Sequence, residues 1–413
     1  MNELRVLLMP LASKLRRFKE LDDILRGLKI LVDGLYDSES SPSSREEARR
    51  ESGKFDAVIA LALTGGIEDM LLGVGEAGKP LIIVAHDQLN SLAASIEASS
   101  KLREMGNPSW IVGAWTPGAR KRIESILEGI EAASRFSGMR IGLIGGISPW
   151  LVYSKPDPNS LKEFFDIELV EVSRDELYSK FESSKVDRDL MGKVLREAKR
   201  VEVSEDDLGE ALRVYQALKE IVEEHGLDAL TIRCFDLIED LGTTACLALS
   251  LLQDDGIVAG CEGDVPGLLS MILGRLLSGS PTFLANISEI GDDYISLAHC
   301  TIALSMVDEY HLLTHFESGM GVGVSGRIYD GGRVTLLRFR PDLRKLRVIR
   351  GTILDGNPSK ALACRTQFRI KVRGDPRKIL EDPLGNHHVM ALGDLIDAVK
   401  SFCMLKGIEA EIL

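Results

Sequence analysis

The stretch that decides the fold is GIVAGCEGDVPGLLSMILGRLL, residues 256–277. Its first six residues are small or apolar and predict a buried strand over 256–261. A helix is predicted over 265–277, because the apolar residues continue and proline is favoured in a first helical turn. Glu262 and Asp264 lie between the two elements. In a parallel sheet this is the carboxyl end of a strand, where open α/β sheets bind ligands.

The two carboxylates do not carry equal weight as site candidates. Asp264 directly precedes Val265 and Pro266, so it is also a natural N-cap for the predicted helix. Glu262 has no such structural role. Glu262 is therefore the stronger candidate for chemistry at this strand end.

The same alternation of strand and helix extends through the first two thirds of the chain and predicts parallel sheets covered by helices. A polar, serine-rich segment at 36–53 is predicted as an exposed loop. Ser204 and Gly226 are predicted to cap one long helix. Strands are expected at 4–11, 55–63, 79–86, 139–147, 166–173 and 227–235, and helices at 21–35, 91–106 and 204–226.

From about residue 290 the pattern changes to alternating strands separated by Gly, Asp and Pro, which predicts an antiparallel β-rich unit. The strands are expected at 293–304, 332–340, 345–354 and 365–372, followed by a closing helix at 393–407. The predicted fold is therefore α/β, with two Rossmann-like parallel-sheet domains followed by a β-rich C-terminal domain. The predicted boundaries are 1–137, 138–289 and 290–413.

Composition restricts the class of protein. The 413 residues carry 63 acidic and 50 basic side chains, a net charge of −13, which argues against nucleic-acid binding as the main function. The six cysteines show no CxxC pair and are interpreted as reduced, buried thiols. No leader-like pattern and no apolar run of about 20 residues is present. We therefore expect a cytoplasmic protein that binds no membrane.

A metal site can be assembled from few residues. The strand predicted at 280–290 reaches Asn286, whose amide oxygen can bind a divalent ion but cannot accept a proton. His299 lies in a strand-like segment and is either a ligand or a core residue. His387 and His388 lie in the turn-like GNHHVMALGD, and adjacent extended residues point to opposite sides, so we expect one ligand from this pair. Glu262 with such histidines makes a mixed oxygen and nitrogen site.

Nucleotide and nucleophile motifs are missing from the sequence. The segment GLIGGI at 142–147 is not a GxGxxG, which makes a nicotinamide site improbable. Walker A, nucleophile-elbow and kinase signatures are not present. These observations favour a small polar ligand over a nucleotide.

Six segments in order resemble the L-fucose isomerase and L-arabinose isomerase superfamily, with the closest likeness to its fucose-isomerase-like branch. The most specific parts are the CEGD segment and the GNHH segment, and the resemblance covers most of the chain. The segments are ALTGGIED, AHDQLNSLAASIEASSKLREMG, CEGDVPGLLSMILGRLLSGSPTFLANI, AHCTIAL, THFESGMGVGVSGRI and GNHHVMALGDL.

The resemblance implies an enzyme, a metal-dependent ketol isomerase. Such enzymes interconvert an aldose and a ketose through a cis-enediol, usually with Mn2+ or another divalent ion such as Co2+. It also implies a small-molecule sugar substrate, and a homo-oligomer, trimer or hexamer, with active sites built across subunits.

The family's site residues map onto this sequence one by one. Glu262 matches the first carboxylate, a metal ligand and proton-transfer group. His387 matches the C-terminal histidine ligand, with His388 one residue away. His299 matches a histidine near the metal, and Asn286 falls where a second carboxylate is expected.

Asn286 leaves alternatives open, because an amide cannot act as a base. Asp264, Asp236 or Glu239 are candidates to replace the missing carboxylate. The alternatives to an isomerase are a non-catalytic sugar or sugar-phosphate binding protein, and an epimerase or lyase that needs a single base.

Overall fold

The computed structural model describes residues 4–13, 19–329 and 331–413. The chain divides into two compact units. The first comprises the residues up to Ala133 together with Asp397–Leu405. The second comprises Ser134–Ile396 and Lys406–Leu413.

The first unit contains a five-stranded parallel sheet in the order β2-β1-β3-β4-β5. Alternate residues of the same strands enter two separate apolar clusters, so both faces of the sheet are covered. The strands are β1 (Val6–Leu11), β2 (Ser38–Glu39), β3 (Ala57–Ala62), β4 (Leu81–Ala85) and β5 (Ser109–Gly113). The helices that follow them are α1 (Leu21–Val32), α2 (Arg45–Ser52), α3 (Glu68–Glu76), α4 (Ser91–Glu104) and α5 (Ala119–Arg135).

The second unit begins with a four-stranded parallel sheet in the order β10-β9-β6-β7. Its strands are β6 (Arg140–Ile144), β7 (Glu168–Val172), β9 (Ala229–Ile232) and β10 (Val258–Cys261), and the short β8 (Arg200–Val201) lies outside it. The intervening helices are α6 (Pro158–Phe165), α7 (Arg174–Ser183), α8 (Arg188–Glu197), α9 (Glu205–His225), α10 (Phe235–Leu241) and α11 (Cys246–Asp254). β7 lies on one side of β6, whereas β9 and β10 are added on the other side. Doubly wound sheets bind ligands at such a switch point in the strand order.

Helix α12 (Val265–Ser278) leads from this sheet into an antiparallel barrel. The barrel order is β15-β18-β11-β12-β17-β16, and it closes because β15 also pairs with β16. Its strands are β11 (Phe283–Ile290), β12 (Tyr294–His299), β15 (Arg333–Phe339), β16 (Lys345–Asp355), β17 (Thr366–Val372) and β18 (His387–Leu392). A parallel strand, β19 (Glu409–Ile412), extends the sheet beside β16.

The remaining elements are small. β8 pairs with β13 (Glu309–Leu313), which pairs with β14 (Gly323–Arg327) in a three-stranded sheet. The helices are a short 3-10 turn at Leu304–Met306, α13 (Lys378–Glu381) and α14 (Ile396–Lys406). No helix in the described parts of the chain is both long and apolar enough to cross a membrane.

The predicted fold class is confirmed: two parallel α/β sheets precede an antiparallel β-rich barrel. The predicted caps of α9 are also confirmed, since the Ser204 hydroxyl accepts from the Asp207 N–H and Gly226 has a left-handed φ of 59°. The domain boundaries stay a prediction.

Three predictions about elements were wrong. The segment 36–53 is not one loop, since it contains β2 and α2, where the Ser44 side chain accepts from the Glu47 N–H. The turn predicted around His387 is the start of β18, and the chain does not close on α14 but on β19. The strand predicted at 280–290 is present as β11, in which Asn286 lies between the antiparallel partners β12 and β18.

Candidate metal centre

Glu262 occupies a sharp turn at the carboxyl end of β10. Its φ is 63°, in the left-handed region that is uncommon for residues with a side chain and is often found at functional sites. Gly263 continues the turn with φ 71°, and a Cβ there would lie 2.3 Å from the Gly146 carbonyl oxygen. The Ser148 N–H donates to the Glu262 carbonyl at 3.0 Å. The glycine turn after β6 thus fixes the position of Glu262.

Two histidines from the barrel face the Glu262 carboxylate. His299 ends β12 and its Nε2 lies 3.7 Å from Glu262 Oε1. His387 begins β18 and its Nε2 lies 3.6 Å from the same oxygen. All three residues are buried: Glu262 is 7% exposed, His299 5% and His387 0%.

The donor set fits a divalent metal ion. One ligand atom from each of Glu262, His299 and His387 lies within 4.8 Å of the others. The buried His387 Nε2 has no hydrogen-bond partner among the described residues. One carboxylate and two imidazoles suit Mn, Fe, Co or Zn. These three side chains are therefore candidates to hold the metal.

Asp264 orients His387 from behind. The His387 Nδ1 lies 2.9 Å from Asp264 Oδ2, so an N–H at Nδ1 leaves the Nε2 lone pair for a metal. Histidine ligands are commonly held in this way by a carboxylate. The second Asp264 oxygen accepts from the Gly267 N–H at 2.9 Å, which confirms the predicted N-cap.

Arg338 completes this buried network. Its Nη1 lies 2.7 Å from Asp264 Oδ2, and both side chains are fully buried. Its other nitrogens donate to the Leu384 carbonyl and the Ser154 hydroxyl. Asp264 is thus committed to structure and does not serve as a free second base.

The titration of these groups follows from their contacts. Burial alone would raise the pKa of Glu262, but the close approach of His299 and His387 holds it well below its usual range. Burial would raise the pKa of Asp264 too, yet Arg338 and His387 lower it to about 2. Burial lowers the pKa of His387, but Asp264 and Glu262 outweigh it and raise it to about 9. A metal ion that binds His387 at neutral pH therefore displaces a proton.

His388 is excluded from this group by the alternation of the strand. It is fully buried, and neither ring nitrogen has a hydrogen-bond partner among the described residues. Burial, followed by the nearby charges of Arg338 and Arg347, lowers its pKa to about 3. Of the adjacent pair, His387 is the residue beside Glu262.

Asn286 lies between the strands that carry the two histidines. It pairs with His387 on one side and with Ala298 on the other. Its side chain lines the same pocket as Glu262 and His299. Its amide oxygen accepts from Asn386 Nδ2 at 2.8 Å, which leaves its own N–H groups to act as donors. This arrangement favours a contact with the ligand over metal ligation.

The other proposed replacements for a second carboxylate lie elsewhere. Asp236 is paired with Arg233 and Arg174 at 3.0 and 3.1 Å. Glu239 is exposed on α10. Neither lines the pocket that contains Glu262.

The structure adds residues that the sequence interpretation missed. Glu317 is an exposed carboxylate that lines the pocket beside Glu262. The Trp150 indole N–H donates to Glu262 Oε2 at 2.6 Å. Phe235 lies between Trp150 and His315, with ring centroids 4.8 and 5.4 Å away. The sequence could have indicated Trp150 and Phe235, because they follow β6 and β9. These strands end at the same edge of the parallel sheet as β10, which precedes Glu262.

Comparison with known proteins gives similar enzymes at low identity. The chain is 26% identical over 334 residues to a sulfoquinovose isomerase from Alkalicoccus urumqiensis, covering 76% of this chain and 74% of the relative. It is 23% identical over 395 residues to one from Priestia aryabhattai, covering 88% and 86%. It is 24% identical over 362 residues to one from Clostridium sp. (strain MSTE9), covering 81% and 78%.

Two further comparisons carry no argument about function. No family model matches the chain. An inositol dehydrogenase homologue from Azotobacter vinelandii, solved with NAD+, aligns over 98% of this chain and 85% of its own at 10% identity, with a TM-score of 0.19.

Proposed function

We propose that this protein is an aldose–ketose isomerase that acts on a sugar with the help of a divalent metal held by Glu262, His299 and His387. The observation that carries the proposal is the buried cluster of one carboxylate and two imidazoles at the carboxyl end of β10. The relatives named sulfoquinovose isomerase support the reaction class, since the similarity extends over most of the chain. Mn2+ and Co2+ are the first ions to test.

Each side chain of the site has a role that its contacts define. Glu262 is held as an anion by its neighbours, and its Oε2 accepts from Trp150 while Oε1 faces the histidines. Asp264 holds His387 with Nε2 directed at the site. A bound divalent ion would polarise a sugar carbonyl and its neighbouring hydroxyl.

The isomerisation would pass through an enediol, and moving a proton between the two carbons needs a base close to the sugar. Glu262 is one candidate, as the resemblance implies. Glu317 is a second carboxylate on the same pocket and compensates for Asn286, which cannot take a proton. Asn286 would instead donate its amide N–H to a sugar oxygen. The pocket therefore offers two carboxylates despite the amide in β11.

The direct experiment uses the purified protein with sulfoquinovose and a panel of unmodified aldoses in D2O, with Mn2+ or with chelator. The proposal predicts a ketose product in the presence of metal, with solvent deuterium at the carbon that receives the proton. Loss of turnover in chelator and recovery on adding Mn2+ would support the metal role. An absence of both ketose and deuterium exchange with every sugar and metal would contradict it.

Asn286 favours one second candidate, an epimerase or lyase that uses a single base. The amide is the only difference from the family pattern at the matched positions. In D2O such an enzyme exchanges the proton next to the carbonyl without forming the ketose. A sugar that stabilises the protein thermally but shows neither exchange nor product would instead indicate a sugar-binding protein.

A further inference from the structure

Two thiols lie in unusually close contact beside the candidate metal centre. The Sγ atoms of Cys234 and Cys261 are 2.9 Å apart. Cys261 ends β10, where it pairs with Ile232 of β9, and Cys234 follows two residues after Ile232. Neighbouring parallel strands thus hold the two side chains against each other.

Both thiols are free and buried, as the sequence predicted, but they also border a pocket. Cys234 and Cys261 are 6% and 3% exposed, yet both line the pocket that contains Glu262 and His299. A molecule small enough to enter this pocket therefore meets both cysteines. Cys261 is also the residue that directly precedes Glu262.

We propose that Cys234 and Cys261 form a reversible disulfide when a small hydroperoxide enters the pocket, and that this modification switches the metal centre off. One thiol is oxidised to a sulfenic acid by hydrogen peroxide, which is reduced to water. The second thiol then attacks that sulfur, the S–S bond forms, and the sulfenic oxygen leaves as a second water. Two thiols and one peroxide thus give one disulfide and two waters.

The effect on the site follows from the geometry. A disulfide brings the two sulfurs to about 2.05 Å, closer than their present 2.9 Å. The shift acts on Cys261 and so on Glu262, whose left-handed backbone leaves little freedom to compensate. Displacements of about 1 Å in a catalytic group cost about a hundredfold in rate. This consequence rests on the proposed function, whereas formation of the disulfide does not.

Other cysteines provide a rival and a control. Cys246, Cys300 and Cys364 line the same pocket, and Cys364 lies close enough to Cys300 to affect its titration. Cys403 is 1% exposed and belongs to the first unit. Oxidation that follows general thiol reactivity would pair Cys300 with Cys364, whereas our proposal selects Cys234 and Cys261.

The test starts from the full-length protein, reduced and freed of metal with chelator, and then treated with hydrogen peroxide. Remaining thiols are blocked, and the protein is digested without reductant for mass spectrometry. We expect a peptide pair linked through Cys234 and Cys261, and the same link in Cys403→Ser. Cys261→Ser and Cys234→Ala should each abolish it. Free Cys234 and Cys261 in the oxidised wild-type protein, or a link between Cys300 and Cys364 in their place, would overturn the proposal.

A second measurement distinguishes loss of metal binding from formation of the disulfide. The dissociation constant for Mn2+ should rise at least tenfold in the oxidised protein and return to its starting value after treatment with a thiol reductant. A disulfide that forms without changing Mn2+ binding would overturn the switch. If the reduced protein binds no Mn2+, the proposed function fails, but the mass spectrum still decides whether the disulfide forms.

Discussion

At the residue scale, the two carboxylate oxygens of Glu262 make different contacts, and these contacts define the site. Oε2 accepts from the Trp150 indole at 2.6 Å, and Oε1 faces His299 and His387 at 3.7 and 3.6 Å. The carboxylate therefore has one oxygen held by the protein and the other turned towards the imidazoles. This arrangement would orient Glu262 as a metal ligand before a metal binds.

Trp150→Phe removes the hydrogen bond to Glu262 but keeps an aromatic ring against Phe235. A hydrogen bond to a charged group contributes about 1.5–3 kcal/mol, and Trp150 is 46% exposed, so we expect the lower end, about a tenfold fall in kcat. Steady-state kinetics with saturating Mn2+ measures this. The control is Trp115→Phe, an exposed indole of the first unit. An equal loss in both variants would contradict the assigned role.

Glu317→Gln tests the second carboxylate of the pocket. If Glu317 transfers a proton, its loss should lower kcat by about a hundredfold or more, the usual range for a general base. Mn2+ affinity should stay within about twofold, because Glu317 is outside the group of metal donors. Kinetics and calorimetry on the same samples decide this, with Glu239→Gln as an exposed control. A normal kcat in Glu317→Gln would contradict this role and leave Glu262 as the candidate base.

The adjacent histidines predict how the stability of the metal-free protein depends on pH. The pKa of His387 is raised to about 9, so its contribution is present below its unfolded value of about 6.5 and is lost as pH rises to about 9. The pKa of His388 is lowered to about 3, so its contribution is present above about 6.5 and is lost as pH falls towards 3. Together they predict greatest stability near pH 6.5.

Thermal unfolding in chelator across pH 4–9 measures this profile. His387→Gln should flatten the alkaline side, and His388→Gln should flatten the acidic side. An alkaline slope that survives His387→Gln would show that other groups cause it.

The sequence restricted the candidates at this scale more than it decided between them. Glu262 could be selected because it follows a predicted strand. Alternation along an extended segment predicted one ligand from the pair His387 and His388 but did not say which. Trp150 and Glu317 could not be assigned, since their approach to Glu262 depends on how separate loops fold. Asp264 was correctly predicted as an N-cap, but its contact with His387 depends on the barrel that packs beside α12.

At the element scale, the network around Asp264 joins the start of α12 to the barrel. Its carboxylate caps α12 through Gly267, orients His387 of β18, and pairs with Arg338 of β15. One buried side chain thus connects three elements. These contacts hold β18, which carries His387, close to the end of β10, which Glu262 follows.

Asp264→Asn tests that connection, since asparagine can keep the helix cap while it removes the charge. Leaving Arg338 buried without its partner should lower the free energy of unfolding by about 3 kcal/mol or more. Thermal or urea unfolding of the metal-free protein measures it. Asp293→Asn is the matched control, because its pair with Lys371 is 60% exposed on both sides and should change stability by less than about 1 kcal/mol. Equal stabilities of the two variants would contradict the structural role of Asp264.

Elements with a strong apolar pattern could be predicted, and elements fixed by tertiary pairing could not. The strands β1, β3, β4 and β10 are buried along their whole length, so their sequences show continuous apolar runs. Strand β2 has only two residues and both are exposed. The sequence around the start of β18, GNHH, resembles a turn. The pairing of β18 with β11 and β15 makes its histidines part of a strand instead.

At the scale of the whole molecule, the second unit alone supplies every residue of the candidate centre. The parallel sheet contributes Glu262 on a strained turn, and the barrel contributes His299 and His387. The fold class was predictable from the order of apolar patterns. The proposed reaction could be reached only through the resemblance. Specificity for one sugar could not be predicted, because it depends on loops that no local pattern describes.

The most direct test of the account is Mn2+ binding by isothermal titration calorimetry to the wild-type protein and to Glu262→Gln, with Glu239→Gln as the matched control. The account predicts that the wild-type protein and the control bind one ion per chain, releasing a proton near pH 7 and turning over a sugar with the ion bound. Glu262→Gln should bind at least a hundredfold more weakly and show no turnover. Equal Mn2+ affinity in all three proteins would contradict a metal centre at Glu262.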